Sequence, residues 1–119
     1  MEDESQVQWE SLFARADRAV CETLSELPGP VRAEAEKIPV LLRKWPPDKD
    51  DSLLGEYIGF EENEVTSERG AIFVYVGMLH TFCAEEGLEF EQEVKKTYLH
   101  ELGHALGLDE SGLEERGLE

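Results

Sequence analysis

The chain has 119 residues, 40% hydrophobic and 33% charged, a balance that suits one globular domain with a modest core. A net charge of −17 argues against nucleic acid and against anionic membranes as partners, because both demand a basic surface. Two cysteines, Cys21 and Cys83, are too few for a disulfide framework, no charged-then-apolar leader opens the chain, and no apolar run nears the ~20 residues of a membrane span; the expected compartment is the cytoplasm.

Met1 to Ser5 reads as an acidic, frayed start. From Gln6 to Leu27, the apolar residues Trp9, Leu12, Phe13, Ala16, Val20, Leu24 and Leu27 recur at helical spacing, with charged residues filling the other side. That predicts an amphipathic helix whose stripe belongs to the core. Pro28-Gly29-Pro30 ends it, and Val31 to Lys37 suits a short second helix with proline in its first turn. Ile38 to Arg43 reads as a strand, with Pro39 fit for an edge or a first position. A proline-containing polar loop from Trp45 to Ser52 leads to a second strand, Leu53 to Phe60, kinked or bulged at its glycines. A charged connection follows to Gly70. Ala71 to Val76 is the strongest strand pattern in the chain, rich in β-branched and aromatic residues. Gly77 and Met78 are expected to turn the chain, Leu79 to Ala84 to form a short helical segment, and Leu88 to Leu106 a long helix. Ser111 to Glu119 is a short acidic tail. Helix, mixed strands, then helix predicts an α+β domain spanning residues 1–119. Both cysteines are expected as small buried hydrophobes.

The last helix carries the chemistry. His100-Glu101-Leu102-Gly103-His104 is followed by Gly107, Asp109 and Glu110. Residues four apart on a helix differ by only ~40° around its axis, so His100 and His104 point the same way and can share one metal ion. Glu101 sits beside that face and is better placed to reach a metal-bound water than the metal. Gly107 can take the left-handed conformation that ends a helix, letting the chain fold back beneath the histidines. Asp109 and Glu110 then offer a third ligand, which leaves a fourth position open. Gly103 marks close packing, since glycine there costs ~1 kcal/mol relative to alanine. Tyr98, ~200° from His100, should face away from the metal, and His80, outside the motif, reads as structural.

With this motif, and with the element Leu53-Leu54-Gly55-Glu56-Tyr57, the chain resembles the small prokaryotic zincin-like metallopeptidases, the minimal zincins, whose pattern is H-E-x-x-H-x-x-G-x-x-D. The resemblance implies a short mixed sheet packed against the first helix and the active-site helix, one zinc ion, and peptide hydrolysis with Glu101 as general base. One departure stands at the third ligand. Glu110 occupies the family's position and Asp109 has its side-chain length, so Glu110 ranks first and Asp109 next; the other acid can orient a histidine N–H. The substrate implied is a peptide or protein, extended along Ile72 to Val76 if that strand borders the cleft. Tyr57 and Tyr75 could assist the oxyanion, though buried structural tyrosine is the plainer reading of both.

Two other functions compete. A metal- or peptide-binding domain with little turnover needs the same ligands. A metal-dependent ribonuclease of the H-x-x-x-H-x-x-G-x-D-H kind resembles the segment ending Leu108-Asp109-Glu110, but the final histidine is missing and the charge of −17 opposes RNA.

Overall fold

The predicted apolar stripe becomes helix α1 (Trp9–Glu26), with Leu12, Ala16, Ala19 and Val20 buried. The computed structural model describes residues 7–47, 53–59 and 70–107; the acidic start, the charged connection and the tail lie outside them. Helix α2 (Gly29–Ala35) begins earlier than predicted, because the fixed φ of Pro30 suits a first turn. Strands β1 (Val40–Arg43), β2 (Gly55–Ile58) and β3 (Ala71–Tyr75) follow, then helices α3 (Val76–Glu86) and α4 (Phe90–Ala105). The fold is α+β, four helices with a three-stranded mixed sheet among the described residues.

The strand order is β1-β3-β2. β1 runs parallel to β3, pairing Val40 with Ile72 and Arg43 with Tyr75; β2 runs antiparallel, pairing Gly55 with Val74 and Ile58 with Ala71. Pro39 stands just before β1, where its carbonyl accepts the Ile72 amide at 2.9 Å and its missing N–H costs no ladder bond. This order corrects one expectation. The strand beginning at Ala71 is central, with a neighbour on each side, so no peptide can pair along it. Among the described residues β2 is the outer strand on the side that α4 covers.

Ile72 and Val74 are fully buried and, with Val40 and Leu42, join the core built by α1 and α4. Val94, Tyr98 and Leu102 line the inner side of α4. Tyr98 therefore faces the core, as its helical position predicts, and burial pushes its phenol up to about 12.

Two other expectations are revised. The turn expected at Gly77 is instead the first turn of α3, which continues from β3 without a loop. Gly77 is needed there for close approach, since a Cβ would lie 2.5 Å from the Lys44 carbonyl and 2.9 Å from the Trp45 ring. The Gly77 amide donates to that same carbonyl at 2.9 Å, anchoring the helix start to the end of β1. Of the cysteines, Cys83 is buried as expected, but Cys21 is exposed on α1.

Arg15 of α1 clasps Glu91 of α4 in a two-pronged ion pair, at 2.7 and 2.9 Å, while its guanidinium lies over the Phe90 ring. The hydrogen-bonded Arg15 holds the Glu91 carboxyl down to about 2. Because the two side chains remain 40% and 36% exposed, solvent screens the pair, and Glu91→Gln should cost only about 0.5–1 kcal/mol at neutral pH. A depressed carboxyl stabilises the fold fully above its unfolded value of ~4.3 and loses that contribution as pH falls through its folded value. The difference between wild type and Glu91→Gln in urea unfolding should therefore shrink between about pH 5 and pH 2. A gap that stays constant across that window would show that packing, not charge, sets it.

Candidate metal centre

His100-Glu101-Leu102-Gly103-His104 occupies the last turns of α4, with one side of the helix in the core and the other in solvent. Leu102 and Gly103 are buried, whereas His100 and His104 are exposed on the opposite side. Their rings meet edge to face, with centroids 4.6 Å apart and planes at 89°. The two Nε2 atoms lie 3.1 Å apart.

That separation tests whether the pair fits a metal. Two imidazole nitrogens held at 2.0–2.1 Å from a tetrahedral zinc stand roughly 3.3 Å apart. The observed spacing nearly matches it, so the two rings fit as neighbouring zinc ligands. Among the described residues no third His, Cys, Asp or Glu completes a set. Glu110 and Asp109, assigned to that place from the sequence, lie outside the described residues. Gly107 does adopt the left-handed conformation (φ +72°), and its amide donates to the His104 carbonyl at 3.0 Å, ending the helix where the sequence predicts.

Glu101 turns toward a cleft of about 270 Å³, lined by Leu53, Leu54, Gly55, Thr97, His100 and Glu101. Burial raises its carboxyl above the usual range; the nearby imidazoles and the Tyr57 backbone N–H pull it back, and Glu56 opposes them. The carboxylate thus lies between strand and helix, held by a main-chain donor and partly shielded from water. A carboxylate so placed can exchange a proton with a group bound in the cleft.

β2 and α4 come into close contact at Gly55, which lines the cleft. A Cβ there would lie 2.5 Å from the Thr97 methyl, 3.0 Å from the Phe73 carbonyl and 3.5 Å from Glu101 Cγ. Sequence reading took Gly55 for a kink and passed over Thr97. The spacing of Thr97, one turn before His100 and Glu101, was the available signal for the latter. Tyr75 is buried, and its hydroxyl donates to Glu56 at 2.8 Å. Tyr57 packs against the core. Both fit the structural reading better than a role at the oxyanion. His80 sits on α3 and does not line the cleft.

A family model described as zincin-like metallopeptidase matches residues 29–118, most of the chain and all of the motif. The chain belongs to the zincin-like metallopeptidase family. Membership agrees with the α+β fold and implies zinc binding. No curated protein matches the chain. No helix among the described residues is long and apolar enough to cross a membrane.

Proposed function

We propose that this zincin-like protein is a zinc-dependent peptidase, with His100, His104 and Glu110 or Asp109 holding one ion and Glu101 acting as general base. The observation that carries this reading is the pair of exposed Nε2 atoms 3.1 Å apart, beside a half-buried carboxylate on the same cleft. Zinc, when bound, supplies a water that ionises near pH ~7 and a Lewis acid for the scissile carbonyl. The Glu101 carboxylate takes the proton from the attacking water and hands it to the leaving nitrogen. Its hydrogen bond from the Tyr57 amide keeps it turned into the cleft during both transfers. The substrate is a peptide or protein, its backbone extended beside the outer strand β2, which borders the cleft. The cytoplasm remains the proposed compartment, with neither nucleic acid nor membrane as partner.

Removing and restoring the metal tests the proposal. Purified protein should carry one zinc per chain, lose hydrolysis of a mixed peptide digest on chelation, and regain it with added zinc. His104→Ala should lose both the zinc and the activity, because a two-ligand remnant holds the ion poorly. Hydrolysis indifferent to chelator would end the metal mechanism, and salt-sensitive RNA cleavage would revive the ribonuclease reading.

A further inference from the structure

We propose that Leu53 and Thr97, on facing walls of the cleft, select an aliphatic side chain next to the scissile bond. The inference rests on the peptidase reading of the same site. One wall is the entry to β2, with Leu53 and Leu54 before the strand and Gly55 its first residue; the other is α4, with Thr97, His100 and Glu101. A substrate side chain seated between them necessarily lies beside the reacting groups.

The two leucines differ in what they do. Leu54 packs against the core, and its carbonyl accepts the Tyr75 amide at 2.9 Å, so it is committed to the fold. Leu53 is half-buried, lines the cleft, and is not among the described members of the core. Opposite it, the Thr97 methyl presses toward Gly55 and makes that part of the wall apolar.

Size and charge narrow the occupant. A volume of about 270 Å³ falls just below the ~300–1,000 Å³ typical of ligand pockets and suits one side chain. Among the described residues that line the cleft, Glu101 is the only carboxylate, and none is a lysine or an arginine. An acidic side chain would be pressed against the Glu101 carboxylate, whose like charge repels it. A basic one would pair with Glu101 and occupy the base that the reaction needs free. An aliphatic side chain incurs neither penalty, and its burial against Leu53 is favourable.

Octapeptides randomised on both sides of a central bond provide the probe. They are offered to the zinc-loaded protein, and the cut positions are read by mass spectrometry. Val, Leu, Ile and Met on one side of the cut should exceed Asp, Glu and Lys by about tenfold or more. Leu53→Glu should shift that preference toward Lys and Arg by a similar factor, and Leu53→Ala should admit larger side chains. Thermal unfolding of each variant shows that it is folded. Preferences unchanged in both folded variants overturn the inference. Binding of the same peptides to zinc-loaded Glu101→Gln gives a readout that needs no turnover. If the wild type cuts nothing, the peptidase reading fails, while an aliphatic preference in binding still supports the subsite and its absence overturns it.

Discussion

Replacing Glu101 by Gln is expected to lower kcat for peptide hydrolysis by roughly 10²–10⁴-fold while leaving the zinc content unchanged. Glutamine keeps the length and the acceptor oxygen of the native side chain, so the Tyr57 amide retains its partner. What is lost is the capacity to take a proton. His100 and His104 approach each other through their own ring nitrogens, and Glu101 takes no part in that contact. Zinc analysis and single-turnover cleavage on the same preparation separate the outcomes. Loss of activity with metal retained supports the general base. Loss of both points to a structural role for Glu101. Zinc bound by a wild type that hydrolyses nothing favours the binding-domain reading.

Gly55→Val is expected to destabilise the protein by about 1–3 kcal/mol, the range of overpacking in a closed interior. The first added carbon already meets Thr97 at 2.5 Å and the Phe73 carbonyl at 3.0 Å, and a main-chain carbonyl cannot swing aside as a side-chain tip can. The strand must therefore move away from α4, drawing the Tyr57 amide away from Glu101, so activity falls along with stability. Thr97→Ala in the same chain removes one of the two clashes and should recover part of the loss, but not all of it. Urea unfolding of the two single variants and the double variant measures the coupling. A Gly55→Val protein as stable as wild type would overturn the close approach of strand and helix at this position.

The elements that depend on local pattern were readable in the sequence. The stripe of α1 and the alternation of buried and exposed positions on α4 both follow from helical spacing, and the metal motif lies on the second of these. Strand order was not readable, because which strand lies at the centre depends on pairing between distant segments. One signal was present all the same: Ala71-Ile72-Phe73-Val74-Tyr75 is apolar at every position, as a strand covered on both faces tends to be. The start of α3 was hidden for a different reason. Glycine usually breaks a pattern, but Gly77 is there to let the helix approach Lys44 and Trp45. The site was half legible. His100, Glu101 and His104 stand together as their spacing requires, whereas Gly55 and Thr97 become neighbours only once β2 docks on the helix.

The order β1-β3-β2 also constrains how the chain assembles. The first two strands to be synthesised do not pair with each other; each waits for the third, and α1 waits longer still for α4. A ribosome must extend the chain past residue 75 before any sheet can close, and through Ala105 before the interior is sealed. The helix bearing His100 and His104 is thus the one whose arrival completes the fold, so a nascent fragment that stops short of it has neither a closed core nor the proposed metal ligands.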